Sequence, residues 1–252
     1  MTTNMKIVQI TDLHLRRDKS YRAFEINTFQ SAKNIINHIS KLHEDLDALV
    51  ISGDISDDES EESYSNLIEL TDEIHSEIYL MPGNHDSIIE IKKCASTSKV
   101  NSELYFARDN WVYFMFNTKK DDSPNGFLKQ YEIDIFREMI EKNDDKYFMI
   151  FLHHHPVKIG SPTMDKMIIE NADILLDLIQ QNQTIRGVSW GHIHNVFETN
   201  LNNAKLFSTP STCYQSKPKS KTFIIDTKEK PGYRIIHFSS DGNLETEIIR
   251  MS

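Results

Sequence analysis

Five short apolar runs in this chain each end in residues that bind cations. Ile7-Val8-Gln9-Ile10-Thr11 ends in Asp12-Leu13-His14, and Asp47-Ala48-Leu49-Val50-Ile51-Ser52 ends in Gly53-Asp54. Ile78-Tyr79-Leu80-Met81-Pro82 runs into Gly83-Asn84-His85-Asp86. Tyr147-Phe148-Met149-Ile150-Phe151-Leu152 ends in His153-His154-His155, and Val188-Ser189-Trp190 in Gly191-His192-Ile193-His194. β-Branched and aromatic runs of this kind read as strands. Those without alternation, such as Ala48–Ile51, suit strands buried on both faces. Carboxylates and imidazoles are thus delivered to strand ends. On an extended chain residues i and i+2 point to the same side, so Asp12 and His14 can grip one ion together. The same alternation puts His153 and His155 on one face and turns His154 away. A lone Asp-x-His is ordinarily a turn or a surface pair. Five such ends in one chain predict a two-metal hydrolytic site.

The rest of the chain organises around these ends. Apolar spacing predicts a helix over Ile26–Asp45, whereas Leu15–Glu25 reads as a loop over the site. Asp57 or Asp58 is expected to cap a helix running to His75, and Asp86 a shorter one through Ala95. Leu104–Ala107 and Trp111–Asn117 read as a strand pair. The turn-forming Asp121–Gly126 leads into a helix over Lys129–Lys142. Lys158–Asp165 is a loop near the site, and Lys166–Gln180 a further helix. Strands are then expected at Lys205–Ser208, Thr222–Asp226, Tyr233–Phe238 and Glu245–Arg250. Strand–helix alternation followed by strands alone predicts an α/β chain with two packed sheets and helices outside. No linker interrupts it, so residues 1–252 read as a single domain.

Charge and cysteine content narrow the chemistry. A net charge of −10 with no Lys/Arg-rich run makes a poor binder of nucleic acid or of an anionic membrane. No apolar stretch approaches the ~20 residues that span a bilayer. Met1-Thr2-Thr3-Asn4-Met5-Lys6 shows no leader pattern, and the expected compartment is the cytoplasm. Cys94 and Cys213 form neither a disulfide framework nor a thiolate site. Cys213 is expected to be a buried structural thiol.

Donors limited to Asp, Asn and His suit Fe, Mn, Zn or Co. Asp12, His14, Asp54, Asn84, His153, His192 and His194 can surround two metals four at a time only if one is shared. A carboxylate bridges best, and the bridge is assigned to Asp54. Two divalent ions against two carboxylates and a hydroxide leave a charge near about +1, matched to a phosphodiester monoanion. No nucleophile elbow or phosphate-binding loop is present, so water is the expected nucleophile.

Together the motifs Asp12-Leu-His14, Gly53-Asp54-Ile-Ser-Asp57, Gly83-Asn84-His85-Asp86, His153 and Gly191-His192-Ile-His194 resemble the calcineurin-like metallophosphoesterase superfamily. Gln9–His14, Leu152–Pro156 and Ser208-Thr-Pro-Ser-Thr-Cys213 extend the likeness to its class III 3′,5′-cyclic-nucleotide phosphodiesterases, the bacterial cyclic AMP enzymes in particular. Ile135-Phe136 stands where those enzymes tend to carry tryptophan, which reads as a packing change. The resemblance implies a four-layer αββα sandwich of two mixed sheets. It also implies one metal on Asp12, His14, Asp54 and His194 and a second on Asp54, Asn84, His153 and His192, with Fe or Mn ahead of Zn or Co. His85 would be the proton donor, and His155 a supporting residue. The implied partner is a small cyclic nucleotide, with no nucleic acid or membrane, acted on by a monomer or homodimer. The implied reaction opens 3′,5′-cyclic AMP to 5′-AMP with a hydroxide held between the metals. Two alternatives remain. One is a broader diesterase acting on 2′,3′-cyclic nucleotides or glycerophosphodiesters. The other is a silent binding scaffold, against which every motif position is filled.

Overall fold

A computed structural model describes residues 5–251. The leader reading at Met1–Asn4 lies outside the described residues. The chain runs β1 (Met5–Ile10), β2 (Arg22–Ala23), β3 (Ile26–Asn27), α1 (Thr28–Leu42), β4 (Ala48–Ser52), α2 (Glu61–Thr71), β5 (Glu77–Met81), α3 (Ile88–Thr97) and β6 (Val100–Asn101). It continues through β7 (Tyr105–Arg108), β8 (Trp111–Met115), α4 (Gln130–Lys142), β9 (Tyr147–Phe151), a 3₁₀ turn at Met164–Lys166 and α5 (Ala172–Gln181). β10 (Ile185–Trp190), β11 (Glu198–Leu201), β12 (Ala204–Ser208), β13 (Gly232–Phe238) and β14 (Leu244–Arg250) complete it.

Two six-stranded sheets result, ordered β14-β13-β1-β4-β5-β6 and β11-β12-β10-β9-β8-β7. Both are mixed. β1, β4, β5 and β6 are parallel in the first, as are β8, β9, β10 and β12 in the second. The pleat sorts the side chains. Ile7, Ala48, Val50, Tyr79 and Met81 join the cluster shared with the second sheet, α4 and α5. Val8, Ile10, Leu49, Ile51, Ile78 and Leu80 pack with α1, α2 and α3. This gives four layers, αββα, and explains why the strand runs show no alternation: both faces are covered. The stripe Ile35, Ile36 and Ile39 of α1 is fully buried, each contributing about 1.5–3 kcal/mol. Phe136 packs on Phe114, Phe116 and Phe148.

Several expected boundaries move for local reasons. The Asn27 side chain accepts from Gln30 N at 2.7 Å and starts α1 there, leaving Ile26 in a strand. α2 is capped by Ser60 and α3 by Ser87, not by Asp57, Asp58 or Asp86. Asp58 instead holds Ser60 N at 3.2 Å in the turn before the cap. The segment 222–226 is not a strand and keeps one isolated bridge, Ser216 to Ile225. β11 goes unread in the sequence because it is a polar edge strand, exposed along Glu198–Asn200.

Candidate metal centre

The C-terminal ends of β1, β4 and β5 in one sheet meet those of β9 and β10 in the other. β1 stops at Ile10, so Asp12 and His14 are not on an extended strand as the i, i+2 argument supposes. Both are left-handed, with φ of 54° and 47°, as are Asp54 (49°), His192 (64°) and His194 (49°). Such φ values in non-glycine residues cost about 1–3 kcal/mol each and persist only where the surroundings enforce them. Here the backbone does so. Asp12 N donates to Gly53 O at 3.0 Å and His14 N to Asp54 O at 2.9 Å, lacing the loops after β1 and β4 together. Glycine is required where the loops touch: a Cβ on Gly83 would lie 2.1 Å from Asp54 Oδ1, and one on Gly191 1.9 Å from Thr11 Oγ1.

Two buried clusters form. In the first, His14 Nε2 and His194 Nε2 are 3.2 Å apart, and His194 Nε2 is 3.3 Å from Asp12 Oδ1. His194 Nδ1 donates to Tyr214 O at 2.9 Å and His14 Nδ1 to Asp57 Oδ1 at 3.2 Å. Those partners accept only, so in the neutral rings the two facing Nε2 atoms carry lone pairs, an arrangement that suits a shared cation. In the second, ligand atoms of His153, His154 and His192 lie within 4.8 Å of one another. His153 Nδ1 donates to Ser52 O at 2.8 Å, again freeing Nε2. The Nε2 atoms of His154 and His192 and the Oδ1 of Asn84 are buried without a hydrogen-bond partner. Asp54 joins the clusters: Oδ1 is 3.3 Å from His153 Nε2, and Oδ2 is 3.7 Å from His14 Nε2. Orphaned buried donor atoms and a divided carboxylate are what a metal-ligand set requires.

Electrostatics agree. Burial opposes the charge of Asp54, but His153 and then His14 hold its carboxyl well below the usual range. Burial likewise opposes the His153 cation, yet Asp54 raises it to about 9; a metal ion between them would replace that proton. Burial and the neighbouring histidines keep His192 and His154 neutral, and burial pushes His155 down to about 4.

His154 corrects the sequence reading. β9 ends at Phe151, so strand alternation no longer governs the three histidines. His154 turns inward with Nδ1 2.8 Å from Thr118 Oγ1. His155 stays behind the cluster, its ring stacked on that of His192 at 5.8 Å. His85 is partly open to solvent, with Nδ1 3.7 Å from Asp57 Oδ1. Asp57, expected as a helix cap, also pairs with Arg16 at 2.5 Å. Arg16 and Tyr214, whose ring lies on His194 and His14, are site residues that no motif marks. Cys213 is buried, its Sγ 3.2 Å from Asp12 O, and burial pushes its thiol far up.

Asp86 does not cap a helix. Its buried carboxylate accepts from Gly83 N (2.8 Å), Ser56 N (2.9 Å), Ile55 N (3.1 Å) and the Tyr64 hydroxyl (3.0 Å), tying the β5 loop to the β4 loop. Leaving buried donors unpaired costs about 1–3 kcal/mol each. With four donors left unpaired, Asp86→Ala is therefore expected to destabilise the fold by about 4 kcal/mol or more, measured from the denaturant midpoint. An unchanged midpoint would refute this tie.

Residues 5–196 match the family model described as calcineurin-like phosphoesterase. The chain is 32% identical over 247 residues to a 3′,5′-cyclic-nucleotide phosphodiesterase of Nostoc sp., covering 98% of this chain and 92% of that protein. It is 28% identical to the 3′,5′-cyclic adenosine monophosphate phosphodiesterase CpdA of Haemophilus influenzae, covering 98% and 90%. A dimetal phosphatase from Danio rerio superposes with a TM-score of 0.68 at 13% identity, covering 98% of this chain and 99% of that one. That last likeness shows the fold, and the two sequence matches run beyond the metal clusters through the C-terminal strands. By its sequence the chain belongs to the calcineurin-like phosphoesterase family.

Proposed function

We propose that this chain is a two-metal phosphodiesterase that opens 3′,5′-cyclic AMP to 5′-AMP. The observation that carries the reading is Asp54, whose two oxygens face two different buried histidine clusters. One metal is assigned to Asp12, His14, Asp54 and His194, and the second to Asp54, Asn84, His153 and His192, with residues 1–252 acting as one domain. Fe or Mn is preferred over Zn or Co on the donor set. When bound, such a pair polarises phosphoryl oxygens and provides a hydroxide at neutral pH. The chain supplies the rest. His85, at the open side, donates a proton to the departing 3′-oxygen, and Asp57 steadies its ring. Lys119 Nζ donates to Asn84 O at 2.9 Å and fixes that turn. A cleft of about 550 Å³ between Asn84, His85, Lys119 and Asp121–Pro124 lies beside these groups and gives a substrate access. Cyclic-nucleotide hydrolysis named for the relatives from Nostoc and Haemophilus supports the choice of substrate.

Mn-loaded protein is expected to hydrolyse 3′,5′-cyclic AMP in preference to 2′,3′-cyclic AMP and bis(p-nitrophenyl) phosphate, releasing 5′-AMP. Equal rates on all three would leave the metal chemistry standing and favour the broader diesterase. Less than one metal per chain with no hydrolysis would favour the scaffold.

A further inference from the structure

One aromatic patch beside the centre has no part in the chemistry so far. Phe24 and Phe223 are 56% and 41% exposed, yet their rings touch, with centroids 6.3 Å apart. Both lie on Tyr214, Phe24 at 4.9 Å and Phe223 at 6.2 Å, each nearly edge-on. Tyr214 in turn stacks on His194 at 4.5 Å and 19°, and Phe223 is itself 6.3 Å from the His194 ring. The patch is thus continuous with a candidate metal ligand. Scattered exposed apolar residues are ordinary, but a contiguous patch next to a site is not.

The backbone works to present it. Phe24 and Glu25 are the two loop residues of the β2–β3 hairpin, with φ of 47° and 68°. Turns with both central φ positive favour Asn-Gly, and a bulky side chain there is a conformational outlier that needs a reason. Phe223 sits on the irregular hairpin closed by Lys217 N to Ile224 O at 2.8 Å and Asp226 N to Gln215 O at 2.8 Å. Between Gln215 and Ile225 this segment carries Lys217, Lys219 and Lys221 and no acid. In a chain of net charge −10, that local excess favours the approach of an anion.

Taking the site as a nucleotide phosphodiesterase, we propose that Phe24 and Phe223, backed by Tyr214, form a stacking platform for the heterocyclic base of the substrate. A base has a π-face whatever its hydrogen-bonding edge, so aromatic side chains bind it with little discrimination among bases. The platform accordingly takes nucleotides as a class and contributes affinity for the base, while the histidine clusters take the phosphate.

The test compares binding of 5′-AMP and ribose 5-phosphate, which differ only by the base, in titration calorimetry of the intact protein. Wild-type protein is expected to bind 5′-AMP about 10- to 100-fold more tightly, the range that base–aromatic stacking gives. The Phe24→Ala/Phe223→Ala double variant should lose that advantage and keep its affinity for ribose 5-phosphate. Tyrosine at both positions should restore the advantage, and leucine should not. In turnover of 3′,5′-cyclic AMP the loss should fall on KM rather than kcat. Equal binding of the two ligands by wild type, binding of neither, or an undiminished preference in the double variant would overturn the platform. Wild-type protein that cleaves bis(p-nitrophenyl) phosphate but no cyclic nucleotide would overturn the nucleotide reading instead, and the calorimetric comparison would still decide the platform.

Discussion

Asp54→Ala is expected to abolish hydrolysis and to empty both metal positions. Its carboxylate is 3.3 Å from His153 Nε2 through one oxygen and 3.7 Å from His14 Nε2 through the other, so one substitution removes a candidate ligand from each cluster. Metal ions acting on a phosphoryl group supply several kcal/mol of transition-state stabilisation, and about 1.4 kcal/mol is a factor of ten in rate. A loss of about 10³-fold or more follows. Metal analysis of the purified variant should fall towards zero ions per chain in parallel. Asp54→Asn keeps the shape and one accepting oxygen but removes the charge, and should lie between Ala and wild type in metal content. A metal-depleted Asp54→Ala protein working at the wild-type rate would rule out the mechanism.

His85→Ala should separate turnover from metal binding. His85 meets the candidate ligands through its backbone N–H, which donates to Asp54 Oδ1 at 3.0 Å, and through its ring, which lies edge-on to that of His14 with centroids 5.1 Å apart; alanine keeps the first and removes only the ring contact. The side chain is free to face substrate, 44% exposed and 3.7 Å from Asp57. A positioned proton donor contributes typically about 10²–10⁴-fold. kcat on cyclic AMP should fall by that order with metal content unchanged. The loss should be smaller on bis(p-nitrophenyl) phosphate, whose leaving group departs without a proton. Equal losses on the two substrates would assign His85 to transition-state binding, and a lost metal would place it among the ligands.

What could be read from the chain depended on whether local order or tertiary partners decide each feature. The five strand ends were legible because buried parallel strands demand apolar runs and their termini must carry whatever the site needs. Glycines 53, 83 and 191 were legible for a related reason, since the loops approach too closely for a Cβ. Helix caps were misassigned because Ser and Asp cap equally well. Asp57 was drawn off by His14 and Arg16, and Asp86 by three backbone N–H groups, leaving Ser60 and Ser87 to cap. His154 was misoriented because a period-two rule was carried past the end of β9. Residues 222–226 have the composition of a strand but pair with 215–217 through a single bridge, Ser216 to Ile225, and Phe223 and Ile224 stay exposed. Arg16 lay in the Leu15–Glu25 loop expected over the site, but no motif marked its role or that of Tyr214, since each reaches the site through a contact with a residue distant in sequence.

The position of β1 between β4 and β13 bears on the order in which the molecule is completed. A chain emerging from its N-terminus makes β1, β4 and β5 early, and every cluster residue up to His194 before β13 exists. Until Gly232–Phe238 is synthesised, one edge of β1 has no strand to pair with, although the first sheet is otherwise laid down from that edge outward. Unpaired edges are templates for wrong association, and pairings this distant in sequence form slowly. The β13–β14 hairpin is thus the clasp of the fold: it arrives last and covers the strand that leads to Asp12.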